Sequence, residues 1–180
     1  MKQTKKLTLS AMLVALGTVF MVLGAVIEVF DLTAVALASV LVAFVYIELG
    51  SPYTWLVWIC TTLCTFLFYQ HSAMWFIYLV LFGIYPILKY YIEKLPVFAR
   101  WILKLLFFNA ALVALIFLSE LIIGVPFFTV EDRFAEFALF IKAGLYVGFN
   151  IAFVLYDIFL NVMIRVYYQR FRTKFLRFLK

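Results

Sequence analysis

The residues able to do chemistry are concentrated at the C-terminal side of this 180-residue chain, in an apolar stretch over about 134–165. Within it stand Lys142, Asn150, Asp157 and Asn161. Asn150, Asp157, Asn161 and Arg165 recur at spacings of seven, four and four, so on a helix they share one face. A carboxylate, two amides and a guanidinium on one face can bind a polar ligand, relay a proton or lock helices together. In lipid such a face must turn toward other helices or a water-filled cavity, because an unpartnered charge there costs several kcal/mol. Gly144, Gly148 and Ala152 form a small-residue ladder that would let a neighbouring helix come close. The segment therefore demands a bundle around it.

Composition supplies that bundle. Hydrophobic residues make up 68% of the chain and charged residues 13%, which is a membrane composition and not a soluble one. The pattern predicts an all-α polytopic membrane protein of one domain, 1–180. Six spans fall at about 7–29, 32–49, 53–69, 73–91, 100–125 and 134–165, followed by a basic tail at 166–180. Spans one and two are joined so tightly that a re-entrant hairpin is the alternative there. Pro86 predicts a kink in span four. The charged start Met1–Lys6 resembles that of a signal peptide, but the apolar run continues to Phe30 without a convincing cleavage site and reads as a retained span.

The net charge of +6 reports orientation rather than nucleic-acid binding. With the N-terminus inside, Lys2, Lys5, Lys6, Lys89, Lys94, Arg100, Lys104 and the six basic residues from Arg165 to Lys180 fall at inner borders. Only Arg133 and Lys142 fall on the outer half, while Glu28, Asp31, Glu120, Glu131, Asp132 and Glu136 lie outside. Both termini are thus expected in the cytoplasm, with an even number of spans. Trp55, Trp75 and Trp101 near span ends read as interfacial anchors.

Depth sorts the embedded polar residues into two layers. In the outer one, Glu120 and Lys142 are expected to face each other, with Trp75, Tyr78, Tyr146 and Asn150 nearby and Glu28, Asp31 and His71 at the rim. One anion, one cation and aromatic walls would suit a small polar or zwitterionic ligand with a flat apolar part. The alternative is a structural Glu–Lys pair. In the inner layer, with Lys89, a structural polar network is expected among Lys104, Asn109, Asp157 and Asn161, with Lys104, Asn109 or Asn161 as the partner of Asp157. The alternative there is a proton relay.

Cys60 and Cys64, one turn apart, read as unreactive buried thiols; with one histidine in the chain they do not make a metal site. No HExxH, GxSxG or phosphate-loop motif is present, so neither an enzyme nor a cofactor is expected. The tail alternates basic and aromatic residues as an amphipathic segment on anionic lipid does. In span one, Ala11 and Ala15 form an A-x-x-x-A step flanked by Thr8 and Thr18, which on spacing alone predicts close packing within the bundle.

The basic start, the run from Lys6 through Ala15 and six spans within about 180 residues resemble the substrate-binding S components of energy-coupling factor (ECF) transporters. The resemblance implies that Ala11 and Ala15 dock on a transmembrane partner. It also implies a ligand pocket open to the outside near Glu28, Asp31, Trp75, Tyr78, Glu120, Lys142, Tyr146 and Asn150. A vitamin-like micronutrient would be the substrate, two ATPase subunits would power its release, and the location would be the bacterial plasma membrane. The loop after span one is shorter here than in many S components. Two other readings of the same residues are a membrane scaffold similar to rod-shape proteins and a stand-alone ion-coupled carrier.

Overall fold

The computed structural model describes residues 3–70, 72–123 and 138–172, and every element among them is helical. Six helices are long and apolar enough to cross a membrane: α1 (Gln3–Val26), α2 (Asp31–Leu49), α3 (Ser51–Phe68), α4 (Met74–Ile92), α5 (Val97–Leu121) and α6 (Phe140–Arg170). The chain is a multi-pass membrane protein by this measure. His71, Glu131–Glu136 and the tail beyond residue 172 lie outside the described residues.

α1 and α2 are separate span-length helices of 24 and 19 residues joined by a single 3₁₀ turn, Glu28–Phe30. Each has the roughly 20 residues that a full crossing needs. Gly24 makes the tight return possible: a Cβ there would collide with that of Ala34. Gly50 turns α2 into α3 at a φ of 86°, a left-handed conformation that an L side chain disfavours.

Lipid removes the hydrophobic drive between helices, so association depends on close approach and on satisfied polar groups. The first three helices show both. Gly17 lies against Thr61, and a Cβ at Gly17 would sit 3.2 Å from the Thr61 methyl. Buried hydroxyls satisfy themselves on the preceding turn: Ser10 donates to the Lys6 carbonyl at 2.9 Å, Thr54 to that of Gly50 at 2.9 Å, and Thr65 to that of Thr61 at 2.8 Å. The packing stripe of α1 is therefore Ser10, Gly17 and Gly24, all buried. Ala11 and Ala15, expected inside the bundle, are exposed on another face. They stand about 100° and 140° around the helix from Ser10, off the line that Ser10, Gly17 and Gly24 share.

α4 is broken rather than simply kinked. Tyr78–Phe82 forms a π turn, with the Gly83 N–H donating to the Tyr78 carbonyl at 2.7 Å, and the α-helix restarts at Tyr85 with Pro86 in its first turn. Pro86 has no N–H to give and its ring excludes the carbonyl four residues earlier, so the disruption falls upstream of the proline. Gly83 fits into the break against Trp58 of α3, where any Cβ would collide with the indole.

α6 joins the bundle through its second half, where Phe153, Tyr156 and Leu160 are buried. Its small-residue ladder does not engage a neighbour: among the described residues no atom lies within 4 Å of a Cβ built at Gly144 or Gly148. The contact face of α6 is set lower down, by aromatic packing and by charge.

Candidate functional site

Contacts define one end of the bundle as basic. Lys6 lies 5.6 Å over the Tyr53 ring, Tyr46 packs on Tyr90 at 4.7 Å, and Glu48 accepts from Tyr167 at 2.9 Å and from Arg172 at 3.2 Å. The start of α1, the α2–α3 turn, the end of α4 and the end of α6 thus meet there. Just inside this end a buried ion network joins α4, α5 and α6. Asp157, 2% exposed, pairs with Lys104 at 2.8 Å and with Lys89, whose Nζ also donates to the Asp157 backbone carbonyl at 3.2 Å. Tyr85 donates its hydroxyl to the same carboxylate at 2.5 Å. Glu93 closes the network from outside the membrane spans, 2.9 Å from Lys104, 3.5 Å from Arg100 and 3.6 Å from Lys89. Partial burial works to raise the pKa of the Glu93 carboxyl, but Lys104, Lys89 and Arg100 outweigh it and hold the group below the ordinary carboxylate range.

Of the three partners expected for Asp157, Lys104 is the one bonded to it. Asn109 is not: it bonds across to α6 instead, its Nδ2 donating to Asn150 Oδ1 at 3.2 Å while the Tyr146 hydroxyl donates to Asn109 Oδ1. Asn161 lies one turn past Asp157 and its side chain makes no hydrogen bond among the described residues. Tyr85 and Glu93 join the network beyond the residues expected in it, and Tyr85, Lys89 and Glu93 stand four residues apart along one face. That periodicity is visible in the sequence; the bond from Tyr85 to Asp157 across 72 residues is not.

Beyond this network, toward the opposite end, a cavity of about 430 Å³ opens between α2, α4, α5 and α6. Leu37, Leu81, Phe108, Leu112, Phe149 and Phe153 form its walls, with Ala36 and Ala152 leaving the room. Its polar lining residues are already committed: the Tyr156 hydroxyl donates to Ser39 Oγ at 2.7 Å and that of Thr33 to the Phe30 carbonyl at 2.7 Å. A cavity of this size and lining accepts a ring or a short chain and offers no counter-charge to an ion.

Of the eight residues expected around an outer pocket, Tyr146 and Asn150 meet in one clasp, and the described contacts do not join them to the others in a shared pocket. Glu120 and Lys142 are both exposed, and no ion pair joins them among the described residues. Trp75 packs edge-on against Phe66 at 4.8 Å, Tyr78 is buried in the core, and Tyr146 and Asn150 belong to the Asn109 clasp. Asp31 opens α2, and the Glu28 side chain lies outside what is described. None of the eight lines the cavity. A helix is rotated about its axis by what it packs against, and here the aromatic and ionic contacts of the lower half of α6 leave Lys142 pointing outward.

No family model, no curated protein and no solved structure matches this chain.

Proposed function

We propose that this chain is the membrane-embedded substrate-binding subunit of an ECF-type uptake system, taking up a small vitamin-like micronutrient. The observation that carries the reading is the cavity of about 430 Å³ framed by four spans, within the size range of small-molecule sites. Its lining narrows the substrate to a largely apolar, uncharged molecule, held by Phe108, Phe149 and Phe153 and by the shape left at Ala36 and Ala152. Ala11 and Ala15, exposed on α1 beside the exposed Met12 and Leu16, leave room for close approach of a transmembrane partner, which with two ATPase subunits would drive release. The basic end would be cytoplasmic, in accord with the positive-inside rule.

Native mass spectrometry of the gently purified protein tests this. The expected result is one small apolar metabolite per chain, lost in Ala152→Phe, which fills the cavity, and retained in Glu120→Ala. A protein that arrives without a metabolite and brings only cell-envelope partners would replace the reading with a scaffold. Uptake into vesicles containing this chain alone would replace it with a stand-alone carrier.

A further inference from the structure

A second, polar recess of about 360 Å³ lies at the basic end, between the ends of α2, α4 and α6. Tyr46, Lys89, Tyr90, Glu93, Asn161 and Tyr168 present its polar groups. Three features make it unlike the apolar cavity. The first is charge. The adjoining network holds Lys89, Lys104 and Arg100 against Asp157 and Glu93, three cations to two carboxylates, so one positive charge is in excess among the described residues. Lys94 adds another close by, its Nζ 4.3 Å over the ring of Tyr90, which lines the recess. The second is an unused donor: the Asn161 amide, on a membrane span, borders the recess without a hydrogen-bond partner among the described residues. Such a group in lipid costs free energy until water or a ligand satisfies it. The third is position, at the border where tyrosines gather and where basic recesses between spans take anionic headgroups.

We infer that this recess binds a phosphate ester, with the Asn161 amide and the Tyr90 and Tyr168 hydroxyls donating to its oxygens and the excess positive charge balancing it. The Glu93 carboxylate on the same wall does not repel the ligand outright, because three cations already surround it. A lipid phosphodiester and a free phosphate share this chemistry, and the test separates them.

The full-length protein in nanodiscs of phosphatidylglycerol mixed with phosphatidylcholine is released and weighed by native mass spectrometry, with and without excess inorganic phosphate. The expected result is several-fold enrichment of retained phosphatidylglycerol, reduced several-fold in Asn161→Leu. Tyr90→Phe supplies an independent variant should Asn161→Leu fail to fold. Retention that resists inorganic phosphate assigns the site to lipid, whereas displacement by inorganic phosphate, or phosphate binding in place of lipid, assigns it to a soluble phosphate. Equal retention of both lipids with no effect of phosphate overturns the inference. So does enrichment that both variants leave unchanged, which would place the lipid on the basic surface instead. Ala152→Phe, which fills the apolar cavity, leaves the enrichment intact, so this result and that of the proposed transport role are read separately.

Discussion

The two halves of α6 have nearly the same hydrophobicity to the eye and opposite fates in the fold. In the lower half Phe153, Tyr156, Asp157 and Leu160 are all at most 7% exposed. In the upper half Leu145, Tyr146 and Val147 are between 43% and 56% exposed. Apolar area cannot account for the difference, because in a bilayer a leucine gains nothing by exchanging lipid for protein. What the lower half has is a carboxylate with two lysines and a tyrosine hydroxyl, and aromatic faces that stack, Phe153 on Phe108 at 4.4 Å. What the upper half has is the Asn109–Asn150–Tyr146 clasp, partly open to its surroundings. A buried ion pair in this chain acts as a locator: it sets which face of α6 turns inward and at what height.

The comparison is broken most directly at Asp157. Asp157→Ala leaves the buried Lys89 and Lys104 with only the partly exposed Glu93 as counter-ion among the described residues, and removing one partner of a buried pair costs about 3–5 kcal/mol. Thermal unfolding in detergent should show loss of cooperative folding or a large fall in Tm; an unchanged Tm would mean the network does not hold α6. Tyr85→Phe removes one charge-assisted hydrogen bond while keeping the ring stack with Phe107, a loss of about 1.5–3 kcal/mol in the same assay. A Tyr85→Phe protein as stable as the parent would assign the anchoring to the lysines alone. The smallest effect is expected in the upper half. Asn109→Leu undoes the clasp, and interhelical hydrogen bonds in membranes average about 0.6 kcal/mol. A fall in Tm comparable to that of Tyr85→Phe would erase the distinction between the halves.

Legibility followed the range of the interaction. Six helices and their approximate edges were readable because hydropathy is a local sum, and α2 (Asp31–Leu49) differs by one residue from the expected 32–49. Polar residues at mid-span could be recognised as costly and in need of partners, and Lys104 was named for Asp157 on depth alone. Depth and rotation are harder to read: Asn109, expected at the level of Asp157, bonds Asn150 two turns away from it along α6, and Lys142 makes no ion pair with Glu120 among the described residues. The break in α4 was half readable, since Pro86 announces a disruption while the π turn at Tyr78–Phe82 depends on Trp58 arriving beside Gly83. The cavity was not readable at all, because it is a volume left between four helices and no single segment carries a mark of it.

By itself, then, the sequence determined six stretches long and apolar enough to cross a membrane and which polar groups within them need partners, because transfer between water and lipid is decided residue by residue. The tertiary structure alone decided which face of each helix turns inward. It put Asp157 between two lysines, left Ala11, Ala15, Gly144 and Gly148 on open faces, and separated an apolar cavity from a polar recess. Those outcomes depend on helix rotation and close approach, and these follow from the simultaneous fit of all six spans.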